Sequence, residues 1–213
     1  MKAIELEKAY DPKAFEDSIY RQWVEDGNFR PSTGTGKPFV IVMPPPNVTG
    51  ILHMGHALNN SLQDTLIRYY RMTGRPTLWV PGTDHAGIAT QNVMERRLQK
   101  EGLRRQDLGR EKFLERTWAL KEEHHDVIVG QLKKIGCSCD WDHERFTMDE
   151  GLSKAVRETF VTLYERGLVY KGLYLVNYCP HCGTALADDE VEHQEDVGHL
   201  YDINYPFADG SGH

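Results

Sequence analysis

Two histidines three residues apart, His53 and His56, follow the stiff run Pro44-Pro45-Pro46-Asn47-Val48-Thr49-Gly50-Ile51-Leu52. On the first turn of a helix such a pair shares one face. There the imidazoles stand beside unpaired backbone N–H groups and a partial positive charge, a setting that suits phosphate. Gly55 between them lets a ligand approach the backbone closely. On spacing alone, a capped helix with two surface histidines is an equal reading. A second stretch, Pro81-Gly82-Thr83-Asp84-His85-Ala86-Gly87-Ile88-Ala89-Thr90-Gln91, carries a carboxylate just before a helix. That carboxylate can bind a cation or simply cap the helix. The third stretch is Tyr178-Cys179-Pro180-His181-Cys182-Gly183. Two residues between thiols, with a glycine to turn the backbone, read as a zinc knuckle. Only Cys179 and Cys182 offer themselves as ligands, so the set of four is incomplete. His181, His193, Cys137 and Cys139 complete it poorly.

The elements around these residues follow from period and punctuation. Phe39-Val40-Ile41-Val42-Met43 reads as a buried strand that the prolines terminate. Ala57, Leu58, Leu62, Leu66 and Tyr69 or Tyr70 recur at helical spacing up to Gly74. Thr77-Leu78-Trp79-Val80 is the next strand, so a parallel βαβ unit is expected. Ligands sit beyond the carboxyl ends of such strands, where both motifs lie.

Before this unit, residues 9–27 read as a helix capped by Asp11, with Phe15, Ile19 and Trp23 on its packing face. The glycines of the connector 31–38 lack phosphate-loop spacing. After the unit, helices are expected over 88–101 and 110–135, the latter with a buried stripe of Phe113, Trp118, Ile128, Leu132 and Ile135. His124-His125 among acidic neighbours reads as a solvated face, and Cys137 and Cys139 as buried thiols. Thr147-Met148-Asp149-Glu150 reads as a capping box for a helix to Arg166 with Leu152, Val156, Phe160, Leu163 and Tyr164 inward. Strand-like alternation is expected over Val169–Asn177 and again over His199–Phe207, followed by a turn over Ala208–Gly212.

The 213 residues are 39% hydrophobic, enough for a globular core. A formal net charge of −7 argues mildly against a dedicated nucleic-acid module. No long apolar run or secretory pattern appears, which predicts a cytoplasmic protein without membrane contact.

Leu52-His53-Met54-Gly55-His56 resembles the HIGH motif of class I aminoacyl-tRNA synthetases, and Pro44–Gly50 resembles the form found in the valyl group. Pro81–Gln91 is similar to the same group. The resemblance runs from about Lys8 to the end. It implies an α/β fold: the first half of a Rossmann-like parallel sheet with flanking helices, then a zinc-knuckle segment and the start of an inserted editing domain. The implied division is 1–37 for the leading helix and connector, 38–177 for the first half of the catalytic domain, and 178–213 for the knuckle and editing start. The rest of the editing domain, the second half of the nucleotide fold with its KMSKS loop and the anticodon-binding region are then expected to lie elsewhere, in a longer enzyme or a partner chain.

The implied activity is ATP-dependent ligation of L-valine to tRNA(Val) through an adenylate. The alternative is an inactive or weakly ATP-binding half that needs its counterpart. By resemblance His53 and His56 stabilise charge at the phosphates. Thr49, Gly50, Met54, Gly55 and Asn59 complete the ATP contacts. Pro44 and Pro45 wall the amino acid, and Asn47 and Asp84 hold its ammonium group. Mg²⁺ is expected with ATP, and Zn²⁺ is a candidate at Cys179 and Cys182. An apolar pocket of this group rejects threonine poorly, so correction belongs to the editing domain and is not expected here.

Overall fold

The computed structural model describes residues 9–31 and 33–211. The start of the expected 1–37 segment, Ser32 of the connector and Gly212 of the terminal turn lie outside them. Two compact units are present, Met1–Thr162 and Leu163–His213.

In the first unit, β1 (Phe39–Val42) leads into α2 (Met54–Met72) and back to β2 (Thr77–Val80), and α1 (Pro12–Glu25) precedes them. β1 and β2 pair in parallel, Phe39 opposite Thr77 through Val42 opposite Val80, as the βαβ reading requires. The pairing continues past the strands, for Met43 N–H donates to the Val80 carbonyl at 2.9 Å. On the other side of β2 runs the segment after α5 (Arg110–Lys134). Asp140 N–H donates to the Trp79 carbonyl at 2.9 Å. Farther along, β3 (Gly82–Thr83) pairs in parallel with β4 (Arg145–Phe146). A Cβ at Gly82 would lie 2.8 Å from the Arg145 carbonyl oxygen, so only glycine permits this approach.

The main core joins Met43, Val48, Ile67, Trp79, Ile128, Leu132, Cys137 and Cys139. The two thiols are packing groups, as expected, and burial pushes the Cys139 thiol up. A second cluster of Met94, Leu98, Phe113 and Leu120 joins α3 (Gly87–Lys100) to α5. The short α4 (Arg105–Leu108) links them. Trp79 is 0% exposed and donates its indole N–H to Gln63 Oε1 at 3.1 Å. Trp79→Ala is therefore expected to lower unfolding stability by about 3–5 kcal/mol, measured as a shift of the urea midpoint at unchanged slope; a change under about 1 kcal/mol would contradict this core.

Several apolar stripes differ from their expected burial. α1 is capped by Asp11, whose Oδ1 accepts from Lys13 N–H at 3.0 Å. It docks through Tyr20, which donates to the Cys137 carbonyl at 2.6 Å, while Phe15 and Ile19 are exposed. α2 buries Asn60 and Ile67 and exposes Leu58, Leu62, Leu66 and Tyr69. β1 is an edge strand of its pair, and Val40 and Val42 are exposed. On α5 Leu120 takes an inner place and Trp118 is exposed, as is Ile135 at the C-cap. On α6 (Glu150–Glu165) Val156, Phe160 and Tyr164 are exposed. A periodic stripe marks a face able to bury apolar area, and burial needs something to lie on it.

In the second unit β5 (Asn177–Cys179) and β6 (Thr184–Leu186) form an antiparallel hairpin, Asn177 opposite Leu186. Val169–Val176 and His199–Phe207 form no strand. A strand is stabilised by cross-strand partners, and these segments pair with nothing among the described residues. Among the described residues no helix is long and apolar enough to cross a membrane.

Candidate active site

Pro44–Asn47, Thr49–His53, His56 and Asn59 line an open cleft of about 490 Å³ beyond the carboxyl end of β1. The β1–α2 connection and the first turns of α2 build this cleft. Its floor is the turn from strand to helix, and its rim is the start of α2.

His53 is the N-cap of α2, in extended backbone with φ −120° and ψ 174°. Its Nδ1 accepts from Gly55 N–H at 3.1 Å, and His56 Nδ1 accepts from His53 N–H at 3.2 Å. The ring centroids stand 4.0 Å apart. A ring nitrogen that accepts carries no proton, so both neutral rings hold theirs on Nε2. The helix cap thus sets the tautomers and keeps two Nε2–H donors free of the backbone. Capped helix and phosphate-facing pair are therefore compatible readings. Gly55 has a local reason as well: a Cβ there would lie 2.9 Å from His53 Cε1. Met54, the first residue of α2, and Gly55 do not line the cleft.

Burial, and then the neighbouring His53, hold the His56 ring below the ordinary histidine value of 6.5. The unfolded chain then takes up this proton before the folded one, so stability falls as pH drops below 6.5 through the lowered folded value. Protonation also puts a hydrogen on Nδ1 and breaks the cap. Hydrogen exchange of the His53 amide in the ligand-free chain is expected to accelerate in that window beyond its intrinsic pH dependence. Unchanged protection through the titration of the His56 ring, followed by NMR in the same samples, would contradict the cap.

The loop over Val48–Leu52 is fastened from α5. His124 Nδ1–H donates to the Val48 carbonyl at 2.8 Å, and Gln131 Oε1 accepts from Leu52 N–H at 2.8 Å. His125 Nε2 lies 2.6 Å from Glu144 Oε1. The histidine pair is thus a set of tethers, not the solvated face its acidic neighbours suggest. Asn59 is held in turn: Gln63 Nε2–H donates to its Oδ1 at 3.1 Å, and Gln63 is the partner of Trp79.

The two motifs meet directly. Asn47 and Asp84 form a parallel bridge, with Asp84 N–H donating to the Pro46 carbonyl at 2.8 Å and Val48 N–H to the Asp84 carbonyl at 2.9 Å. Asp84 does not cap α3. The N-cap is Ala86, in left-handed backbone at φ 50°, and Asp84 Oδ1 accepts its N–H at 3.2 Å. Thr147 also reaches this carboxylate, donating to Oδ1 at 3.0 Å. The α6 cap is instead Asp149, whose Oδ1 accepts from Leu152 N–H at 2.8 Å. Thr147, His124 and Gln131 have no sequence signal as site residues, since each acts across 63 to 79 residues of chain.

In the second unit, Cys182 N–H donates to Cys179 Sγ at 3.4 Å, and Gly183 turns the hairpin at φ 69°. Hydrogen bonds from the Cys182 backbone N–H and then the Cys182 side chain hold the Cys179 thiol below its ordinary range. The knuckle suits a thiolate ligand. A structural zinc site needs four ligands, and among the described residues no group of three or more His, Cys, Asp or Glu could hold a metal. These residues alone do not make a closed zinc site.

The family model for class I tRNA synthetases (I, L, M and V) matches residues 18–201. Valine--tRNA ligase of Treponema denticola is 59% identical over 99% of this chain and 23% of its own length. That of Desulfotalea psychrophila is 62% identical over 97% of this chain and 23% of its own. The chain thus spans about a quarter of the curated relatives it matches. In structure it is similar to the agnB2 LeuRS of Agrobacterium radiobacter K84, solved as a ternary complex with tRNA and LeuAMS. That likeness has a TM-score of 0.71 and 25% identity over 86% of this chain and 22% of that one. The strand–turn–helix cleft and the motif that lines it sit inside the matched span, and this chain belongs to the class I tRNA synthetases (I, L, M and V).

Proposed function

We propose that the chain carries the ATP and L-valine half-site of a valine--tRNA ligase and acts in ATP-dependent ligation of valine to tRNA(Val) through a valyl-adenylate. The observation that carries this reading is the Asn47–Asp84 bridge beside the His53–His56 cap. Asn47, His53 and His56 line the same cleft, and the bridge ties Asp84, whose carboxylate suits an ammonium group, to Asn47. The similarity to Valine--tRNA ligases supports valine as the amino acid.

The amino-acid carboxylate is already ionised at neutral pH, so its attack on the α-phosphate needs no general base. The protein's task is positioning and charge stabilisation. His53 and His56 supply Nε2–H donors, and the α2 N-terminus adds its partial positive charge. Thr49, Gly50 and Asn59 border the nucleotide, and Gly55 keeps the His53 ring folded back. Pro44 and Pro45 form the apolar wall, with Asn47 and Asp84 at the ammonium group. Mg²⁺ bound with ATP would offset the negative charge of the phosphates.

A second reading has the chain bind these substrates but turn over only with a further segment of protein. The exposed Val40 and Val42 of β1 and Leu58, Leu62 and Leu66 of α2 favour it, since apolar surface of this kind marks an interaction face. Valine-dependent exchange of labelled pyrophosphate into ATP separates the two. Exchange that needs both histidines supports a competent half-site. Binding of both substrates without exchange supports the second reading, and absence of both binding and exchange in the folded chain rejects both.

A further inference from the structure

The side chain of Thr147 joins Asp84 to His85, and its single proton fixes how it is used. Its Oγ1 lies 3.0 Å from Asp84 Oδ1, 2.9 Å from the His85 backbone N and 2.6 Å from His85 Nδ1. A hydroxyl has one proton and two lone pairs. The ionised Asp84 carboxylate can only accept, so it takes the hydroxyl proton. The His85 backbone N–H can only donate, so it fills one lone pair. His85 Nδ1 must then donate into the other, which places the His85 proton on Nδ1.

Asp84 Oδ1 accepts from the Thr147 hydroxyl and from the Ala86 N–H at 3.2 Å, and the His85 ring nitrogen lies 3.3 Å from it. Oδ2 has no hydrogen bond among the described residues. The backbone is pinned too, because Thr147 N–H donates to the Thr83 carbonyl at 3.2 Å. The carboxylate is therefore held through one oxygen, with its other oxygen uncommitted.

We propose that Thr147 is a positioning residue for Asp84, fixing the carboxylate through Oδ1 so that Oδ2 meets the ammonium group of the amino-acid substrate. The proposal deepens the assignment of Asp84 made above and rests on it. Valine at 147 preserves shape and removes the hydroxyl, and serine keeps the hydroxyl.

The test is carried out on the full chain by titration with L-valine and, separately, ATP, alongside NMR of the Asp84 side-chain carbonyl carbon and the His85 ring nitrogens. Thr147→Val is expected to shift both NMR signals before any ligand is added. It is expected to weaken L-valine binding about tenfold or more, the scale of one hydrogen bond to a charged group, with ATP affinity unchanged. Thr147→Ser is expected to restore both. Unmoved Asp84 and His85 signals, equal loss of L-valine and ATP, or no rescue by serine would overturn it. Moved signals with unchanged L-valine affinity would support Thr147 as the support of Asp84 and overturn the assignment of Asp84 to the ammonium group.

Discussion

Replacing His53 and His56 together with alanine is expected to weaken ATP binding by about 10–100-fold, because a hydrogen bond to a charged group is worth about 1.5–3 kcal/mol. The same change removes the caps at 3.1 and 3.2 Å, so a thermal unfolding measurement should show a loss of about 0.5–2 kcal/mol. The two effects separate with His53→Asn. Asparagine is a good N-cap and keeps an acceptor for the first-turn N–H groups, but it lacks the Nε2–H that the cleft receives from histidine. Stability close to wild type with weakened ATP binding is the expected result by titration calorimetry. ATP affinity that follows stability alone would reduce the histidines to caps.

Asp84→Asn is expected to lower L-valine affinity by about tenfold or more, the scale of a charge-assisted contact to an ammonium group, while ATP affinity stays the same. Asparagine retains an oxygen for the Ala86 N–H at 3.2 Å and the Thr147 hydroxyl at 3.0 Å, so the turn into α3 should persist. Asp84→Ala should lose both the ligand contact and the turn, and destabilise the chain as well. Parallel equilibrium titrations with L-valine and ATP check the selectivity, and equal loss of both ligands from Asp84→Asn would contradict it.

The parts of the molecule legible in the sequence are those decided by near neighbours. The β1–α2–β2 unit follows from a β-branched run, a proline stop and a helical period. Asp11 and Pro12 mark the α1 start, and Gly183 marks the hairpin turn. The cleft residues were legible because all of them lie in one stretch, Pro44 to Asn59.

What the sequence concealed depends on distant contacts. Thr147 looks like a cap because Glu150 lies three positions after it, yet a carboxylate 63 residues earlier claims its proton and Asp149 takes over the cap. His124 and His125 look solvated beside acidic residues, but a backbone carbonyl and Glu144 hold them. Periodicity identified the apolar stripes of α2 and α6 without revealing what covers them. Alternation over Val169–Asn177 and His199–Phe207 likewise reads as strand only where a partner strand is available.

The proposed half-site binds ATP and L-valine through separate residues. Amide and side-chain NMR of the chain, titrated with ATP and L-valine separately, tests it most directly. ATP is expected to move the signals of Gly50, His53, Gly55, His56 and Asn59, and L-valine those of Asn47, Asp84 and Thr147, with residues 177–190 unmoved by either. Ligand-induced shifts confined to other regions, or no shifts from a folded chain at saturating ligand, would contradict the account.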